Sequence, residues 1–241
     1  MSHFITNNLF SKKQFVFIPG RSTVLQLLNV VDKWTQNLEM GGQIDVVYTD
    51  FEKAFDKVPH QRLLSKLVSY GVNCNLIEWI EMFLCFRSYQ VRINGKFSQC
   101  KAVTSGIPEG SVLGPLLFVI YINDLAEFCN RGDELFLFAD DAKLFKHIQA
   151  MHDSVMLNKY CQEFLSWSEK WLMKLNIDKC KVLTITQSKS FVDYKYNIDT
   201  KTSGLVELER VHSMKDLRVN IDVELNFKDH IYNKIKKAYQ R

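Results

Sequence analysis

The hydrophobic and polar positions of the chain follow two spacings, one typical of amphipathic helices and one typical of strands. Ser22 is a candidate N-cap for a helix that runs to about Glu39, because the apolar residues between them recur at helical spacing. The same reasoning predicts helices over 59–71, 76–86, 113–128 and 154–174, and a basic helix over 227–241. Apolar or alternating runs predict strands over 44–51, 89–93, 97–103, 135–138, 144–145 and 181–186, with short strands between 191 and 222.

The order of these elements favours an α+β fold. Strands and helices interleave along the chain, but hairpins dominate where strands meet, and Asn94-Gly95 is a strong hairpin turn. We therefore predict an antiparallel sheet packed by helices rather than a doubly wound parallel sheet.

Two adjacent aspartates, Asp140 and Asp141, separate the apolar runs 135–138 and 144–145. This pattern predicts a tight hairpin with carboxylates at its tip. Like charges so close together are unfavourable unless a cation binds them, and oxygen ligands suit Mg²⁺ or Mn²⁺. A third carboxylate, Asp50, lies near the end of the apolar run 44–51. An Asp-Asp pair alone is more often a solvated turn, so both interpretations are open on these residues alone.

Composition narrows the class of protein only slightly. At 241 residues the chain is long enough for one large domain or two small ones, and its net charge of +4 permits nucleic acid as a partner. The longest apolar run, over 112–122, is interrupted by Gly114 and Pro115 and is too short to cross a bilayer. The amino terminus does not follow the pattern of a signal peptide. We expect an intracellular protein that is not secreted and contacts no membrane, with nucleus and cytoplasm both open.

Four segments resemble, in order and spacing, the motifs of reverse transcriptases from non-LTR (LINE-type) retrotransposons. Residues 49–58 resemble motif A, 106–115 motif B and 138–141 motif C. Residues 171–180 resemble motif D, and 19–22 resemble the end of a fingers motif. One such motif would be weak evidence, whereas four in order are highly specific.

The resemblance implies the palm of a right-hand polymerase, with partial fingers and the thumb missing. Residues 1–42 would be part of the fingers. Residues 43–227 would form the palm, with a fingers segment at about 59–103. Residues 228–241 would begin a thumb or connecting helix.

The resemblance also implies an enzyme, an RNA-directed DNA polymerase that adds deoxynucleoside triphosphates to a DNA primer along an RNA template. Asp50, Asp140 and Asp141 would be catalytic and would bind two metal ions, Mg²⁺ or Mn²⁺. One ion would lower the pKa of the primer 3′-hydroxyl, and the other would hold the triphosphate and stabilise the leaving pyrophosphate. No protein partner follows from the sequence.

Further motif residues would bind substrate, again by resemblance. The backbone carbonyl of Phe51 would be a metal ligand, and Phe55 would crowd the sugar 2′ position and favour deoxynucleotides. Gly110 would let the template or nucleotide approach the backbone, and Lys179 would approach the triphosphate. Arg21 of the fingers motif is another candidate. On the residues alone, Phe55 could be a core side chain and Lys179 a solvated surface lysine.

Three positions depart from the family pattern. Glu109 stands where Gln is usual beside the incoming nucleotide, and a like-charge pair 4 Å apart costs about 4 kcal/mol at an effective dielectric near 20. Ile18 replaces an Arg able to bind phosphate, and Arg218 replaces a Gly, where it is expected to strain a turn. These departures leave open a catalytically inactive retrotransposon remnant that at most binds nucleic acid. An RNA-directed RNA polymerase is disfavoured because Phe55 would clash with a ribose 2′-hydroxyl.

Overall fold

The computed structural model of the protein describes residues 1–128, 135–201 and 204–240. Its helices are α1 (Ser2–Thr6), α2 (Thr23–Glu39), α3 (His60–Ser69), α4 (Cys74–Leu84), α5 (Leu113–Ile122), α6 (Leu125–Phe128), α7 (Met151–Lys170) and α8 (Lys228–Tyr239). Its first seven strands are β1 (Gln43–Thr49), β2 (Ser88–Tyr89), β3 (Arg92–Ile93), β4 (Lys96–Phe97), β5 (Lys101–Ala102), β6 (Leu135–Phe138) and β7 (Asp141–Ile148). The others are β8 (Lys181–Thr186), β9 (Asn197–Thr200), β10 (Gly204–Glu207), β11 (Glu209–Val211), β12 (Ser213–Asp216) and β13 (Val219–Asp222).

Strand β1 lies at the centre of a five-stranded sheet with the strand order β11-β8-β1-β7-β6. It pairs antiparallel with both β7 and β8, whereas β11 joins the outer side of β8 in parallel. Every residue of β1 is buried, as expected for a strand covered on both faces. The predicted antiparallel sheet packed by helices is therefore confirmed, except at its β11 edge.

Apolar clusters cover both faces of the sheet and hold its strands in place. On one face Phe118 of α5 and Phe164 of α7 are completely buried. On the other face Trp34 of α2 packs edge-on against Phe145 of β7, with ring centroids 5.7 Å apart. Burying each such phenylalanine contributes about 1.5–3 kcal/mol. The strand ends that carry the acidic residues thus project from a rigid support.

The helix predicted from Ser22 to Glu39 is confirmed as α2. The Ser22 hydroxyl oxygen accepts a hydrogen bond from the Leu25 backbone N–H over 3.2 Å, as an N-cap does. The buried residues of α2 recur on one face, but this face includes the polar residues Gln26 and Asn37, and the apolar residues Val24 and Leu28 are exposed.

The prediction of a single helix over 113–128 is wrong, because the helix is interrupted at Asn123 and Asp124, between α5 and α6. The Asn123 side chain accepts a hydrogen bond from the Ser11 N–H over 2.8 Å. The Asp124 carboxylate accepts one from Lys66 Nζ over 2.5 Å. Side chains bound to other segments in this way compete with the helical backbone pattern, and periodicity alone does not reveal them.

Other predicted elements differ in their bounds. Helix α7 begins at Met151 rather than 154, because the Asp153 carboxylate accepts hydrogen bonds from the backbone N–H groups of Gln149 and Ala150, each over 3.0 Å. The strands predicted over 89–93 and 97–103 divide into β2 to β5. The short helix α1 has no predicted counterpart.

The turn between β12 and β13 has an unfavourable backbone conformation. Asp216 pairs with Val219, so the turn consists of Leu217 and Arg218, whose φ angles are 45° and 72°. Positive φ costs a residue with a side chain about 1–2 kcal/mol, and such turns favour asparagine and glycine. The strained turn predicted at Arg218 is therefore confirmed.

Replacing Arg218 with glycine should raise the free energy of unfolding by about 1 kcal/mol, since glycine adopts positive φ readily. Chemical denaturation followed by circular dichroism measures the change. The matched control is Lys215→Gly, which puts glycine into the extended strand β12 and should lower stability instead. A stability loss in both variants would contradict the assigned strain.

Candidate active site

The strand register brings two of the predicted catalytic residues to one end of the central sheet. Thr49 of β1 pairs with Ala142 of β7, so the following position sets Asp50 opposite Asp141. The Thr49 hydroxyl also donates a hydrogen bond to the Ala142 carbonyl over 3.1 Å. Segments far apart in sequence therefore meet through β-pairing rather than through flexible loops.

The predicted hairpin with carboxylates near its tip is confirmed as β6–β7. Phe138 pairs with Asp141, and the two residues of the turn are Ala139 and Asp140. Asp141 is the first residue of the return strand, which is longer than predicted and extends to Ile148.

Asp50 is held through its backbone. Its carbonyl accepts a hydrogen bond from the Asn176 N–H over 2.8 Å, and the Glu52 N–H donates to the Lys174 carbonyl over 2.8 Å. These two bonds attach the segment that resembles motif D directly beside the segment that resembles motif A.

The Asp50 carboxylate has an incomplete set of partners. Its Oδ2 atom is buried and accepts no hydrogen bond from the residues that the structure describes. Lys179 Nζ lies 3.1 Å from this oxygen and balances its charge without hydrogen-bond geometry. Because the Lys179 side chain is 66% exposed, this pair contributes little stability. A buried carboxylate oxygen of this kind suits a small cation.

The pKa values of both hairpin carboxyl groups are raised. For Asp140 the main cause is the removal of water by surrounding atoms, and the negative charge of Asp50 adds to it. For Asp141 removal of water again acts first, and three neighbouring carboxylates add to it, raising the pKa to about 6. Their ionised forms repel one another in a small volume, and a divalent cation would reverse this effect.

An open cavity of about 390 Å³ adjoins these groups and is lined by Asp50, Asp141 and Lys179 among others. Across residues 1–128, 135–201 and 204–240, no group of three or more His, Cys, Asp or Glu side chains is arranged to hold a metal ion. The donors are nevertheless hard oxygens, and Asp50 Oδ2 is buried without a hydrogen bond from this part of the chain. The residues present therefore fit Mg²⁺ or Mn²⁺ by their chemistry, provided that Asp50 exchanges Lys179 for the ion.

A buried ion pair lines the same cavity, and sequence reasoning missed it. Lys143 of β7 donates a hydrogen bond to Asp216 of β12, and the two side chains are 5% and 6% exposed. The Tyr48 hydroxyl donates to the same carboxylate over 3.4 Å. Lys143 follows Asp141 by two residues and lies on the same face of β7. The pair fastens the β12–β13 hairpin to the strand that carries Asp141, and the missed signal was a lysine inside an apolar strand.

Phe51 and Phe55 both pack into the protein. The Phe51 side chain is buried and stacks on Phe164 with ring centroids 5.6 Å apart, so its backbone carbonyl is the part suited to the predicted ligand role. Phe55 is half-buried and stacks on Phe118 at 4.4 Å. Phe55 is thus a core contact on one side, and its contact with a nucleotide sugar stays a prediction.

Glu109 and Gly110 lie exposed on the loop before α5. The φ angle of Gly110 is 76°, so the turn itself favours glycine there. The Ser111 hydroxyl accepts a hydrogen bond from the Gly114 N–H over 2.9 Å and donates one to the Pro108 carbonyl over 2.8 Å. Ser111 therefore provides a partner for a backbone N–H in the first turn of α5, whereas close approach of a ligand to Gly110 stays a prediction.

Arg21 binds backbone in this structure. Its guanidinium donates to the Ser11 carbonyl over 2.6 Å and to the Gln14 carbonyl, and burial lowers its pKa. These bonds support the loop whose Phe15 N–H donates to the β6 strand. Ile18, which replaces the arginine usual in the motif, is 9% exposed and packs in the core. Substrate contact by Arg21 stays a prediction.

Comparison with known families decides the relationship. The family model described as "Reverse transcriptase (RNA-dependent DNA polymerase)" matches residues 1–216. The chain belongs to the reverse transcriptase family. The resemblance noted in the sequence is thereby confirmed, and all four motif segments fall within the matched range.

Relatives of this reverse transcriptase domain include proteins from mobile elements of Drosophila. It is 27% identical over 246 residues to a probable RNA-directed DNA polymerase from transposon BS of Drosophila melanogaster, covering 95% of this chain and 25% of the relative. It is 31% identical over 227 residues to the RNA-directed DNA polymerase from mobile element jockey of Drosophila funebris, covering 91% of this chain and 24% of the relative. The chain thus spans about a quarter of the length of these relatives.

Solved structures with the same fold include telomerases. Apo telomerase from Candida tropicalis, truncated from its C-terminal domain, matches with a TM-score of 0.57 at 12% identity, covering 85% of this chain and 39% of that one. Telomerase from the same organism in complex with a TWJ fragment of telomeric RNA matches with a TM-score of 0.53 at 11% identity, covering 85% and 33%. At such identities the likeness shows the fold alone, and it confirms the palm-like architecture.

Within the described ranges, no helix combines the length and the apolar character that crossing a bilayer requires.

Proposed function

We propose that the reverse transcriptase domain catalyses RNA-directed DNA synthesis, joining deoxynucleotides to a primer 3′-hydroxyl. The observation that carries this proposal is the β1–β7 register, which sets Asp50 opposite Asp141. Reverse transcriptases use divalent metal ions, and here Asp50, Asp140 and Asp141 would hold two, Mg²⁺ or Mn²⁺. Bound ions would activate the hydroxyl and neutralise charge on the phosphates.

The neighbouring residues would bind and orient the substrates. Lys179 would turn from Asp50 to the triphosphate, because its exposed side chain is free to change rotamer at little cost. The Phe51 carbonyl would add a neutral oxygen ligand, and Gly110 would border the nucleotide. Arg21 would act mainly by supporting the adjoining loop. The description of the family supports RNA as the template.

Glu109 would lie near the incoming nucleotide, where its charge opposes binding. Its exposed position on the loop supports an active enzyme over an inactive remnant, since water screens an exposed charge and the side chain is free to turn away. We also propose that residues 1–42 belong to the fingers, 43–227 to the palm with a fingers segment near 59–103, and 228–241 to a thumb or connecting helix.

Primer extension on an RNA template, with a DNA primer and Mg²⁺ or Mn²⁺, tests the proposed activity. We expect templated incorporation that stops when EDTA removes the metal. Folded protein that incorporates nothing with either ion would instead support an inactive remnant. Glu109→Gln would then test whether the extra charge causes the loss of activity. Ile18→Arg would not be informative, because it would place a charge at a position that is buried in the core.

Replacing Phe55 with valine should raise the use of ribonucleotides relative to deoxynucleotides by about tenfold or more, because a smaller side chain leaves room for the 2′-hydroxyl. Competition between the two substrate types in single-nucleotide addition measures the ratio. Phe83→Val is the matched control, since Phe83 is also a partly buried phenylalanine packed on the core. An equal ratio in both variants would remove Phe55 from sugar selection.

A further inference from the structure

Residues 87–103, between α4 and the loop before α5, form an exposed hairpin that we call the basic hairpin. It contains strands β2 to β5. No acidic residue lies between Glu81 and Glu109 in the sequence. The basic residues in this interval are Arg87, Arg92, Lys96 and Lys101. The hairpin therefore carries positive charge that acidic neighbours in sequence do not offset.

In three of its four cross-strand pairs a basic side chain stands opposite an apolar or aromatic one, and the fourth pair is Ser88 with Ala102. The three pairs are Tyr89 with Lys101, Arg92 with Phe97, and Ile93 with Lys96. The Arg92 guanidinium lies 5.3 Å from the centre of the Phe97 ring. Apolar side chains and cations thus lie about 5 Å apart across the paired strands of the hairpin.

The apolar side chains of the hairpin are unusually exposed. Tyr89, Ile93 and Phe97 are 52%, 68% and 63% exposed. Exposed apolar groups collected on one element mark interaction surfaces. An isolated two-stranded hairpin is also only marginally stable in water, so a bound partner would add order to it.

The base of the hairpin is fastened to the loop of the proposed active site. Arg87 donates a hydrogen bond to the Gly106 carbonyl over 3.0 Å. A Cβ atom at Gly106 would lie 2.6 Å from the Asp56 carbonyl oxygen, so the close approach of residue 106 to the Asp56 backbone requires glycine. A groove of about 570 Å³ extends from Tyr89 to Glu109. A single nucleic-acid strand lying on the hairpin would therefore continue along this groove towards the proposed nucleotide site.

We propose that the basic hairpin binds single-stranded nucleic acid and, on the proposed function, that this strand is the template before it enters the active site. Its cations would contact phosphates, and its rings would stack on bases. Unpaired bases offer free ring faces, whereas a duplex keeps its bases stacked inside. The uniform positive charge favours a polyanion over a protein partner or a second copy of this positively charged chain.

Fluorescence anisotropy of a labelled single-stranded RNA, titrated with the full chain at several salt concentrations, tests this assignment. Arg92→Gln/Lys96→Gln/Lys101→Gln should lower the slope of log affinity against log salt by about 2, since each phosphate contact on a single strand contributes about 0.7. Phe97→Ala should weaken binding about fivefold or more through lost stacking.

Matched controls change the same chemistry elsewhere. Lys159→Gln/Lys189→Gln/Lys195→Gln removes three charges from other exposed positions, and Phe191→Ala removes another exposed ring. We expect both controls to keep the wild-type slope and affinity. Equal losses in hairpin and control variants would overturn the assignment, as would a wild-type chain that self-associates in sedimentation through the hairpin and binds no RNA.

A separate measurement distinguishes failure of this inference from failure of the proposed activity. Primer extension is repeated with a template that ends one nucleotide beyond the primer, which leaves little single strand for the hairpin. Hairpin variants should retain activity on this substrate and lose it on a long overhang. If the hairpin variants keep the same fraction of wild-type activity on both substrates, the hairpin assignment is overturned and the proposed polymerase activity is not. If no variant incorporates nucleotides, the anisotropy result still decides the binding claim.

Discussion

Replacing Asp140 with asparagine should reduce metal-dependent nucleotide incorporation by at least about a thousandfold. Metal-ion stabilisation of a phosphoryl-transfer transition state amounts to several kcal/mol, and each 1.4 kcal/mol is a tenfold change in rate. Asparagine keeps the shape of the side chain but removes the negative charge. Primer extension under single-turnover conditions measures the loss.

The same substitution should leave stability unchanged or slightly raised. Removal of water and the charge of Asp50 already raise the pKa of Asp140, so its ionised form is disfavoured in the folded protein. A raised carboxyl pKa means that ionisation opposes folding above that pKa, and Asp140→Asn removes this opposition. Asp199→Asn, at an exposed position on β9, is the matched control and should keep full activity. Retained incorporation in Asp140→Asn would disprove the assigned metal site.

Replacing Lys143 with methionine should lower the free energy of unfolding by about 3–5 kcal/mol, because it leaves the Asp216 carboxylate buried without its cation. Tyr48 alone would remain to donate a hydrogen bond, over 3.4 Å. For a domain of this size the melting temperature should fall by roughly 6–20 °C. Differential scanning calorimetry measures both quantities.

A double-mutant cycle separates the ion pair from simple packing. Lys143→Met/Asp216→Leu should recover most of the lost stability, since an apolar pair of similar volume often replaces a buried ion pair without cost. Lys181→Met is the matched control, because its partner Glu209 is 67% exposed and its loss should cost less than about 1 kcal/mol. Additive losses in the double variant would show that the two residues act independently.

The position of the candidate catalytic carboxylates was predictable because local pattern and strand pairing agree. Asp50 ends one apolar run, and Asp140 and Asp141 separate two others, so any sheet that pairs these runs antiparallel brings the carboxylates together. The start of the helix after Ser22 was predictable because its N-cap is a local signal, whereas its buried face was not, since Val24 and Leu28 are exposed. Each of these features depends on a few adjacent residues.

Other features depend on contacts that periodicity does not record. The break at Asn123 results from a hydrogen bond to Ser11, which is 112 residues away. The ion pair between Lys143 and Asp216 joins two strands of different sheets. In both cases the sequence shows a polar residue in an apolar segment, but its partner becomes known only when the tertiary structure brings the two together.

The attachment of Asp50 to the segment that resembles motif D determines which substitutions are tolerated at positions 52 and 176. Both hydrogen bonds join main-chain atoms, with N–H groups supplied by Glu52 and Asn176. Side-chain replacements at these two positions therefore leave the bonds available, and proline is the exception because it has no N–H. Replacements other than proline at positions 52 and 176 should therefore keep Asp50 in register with Asp141.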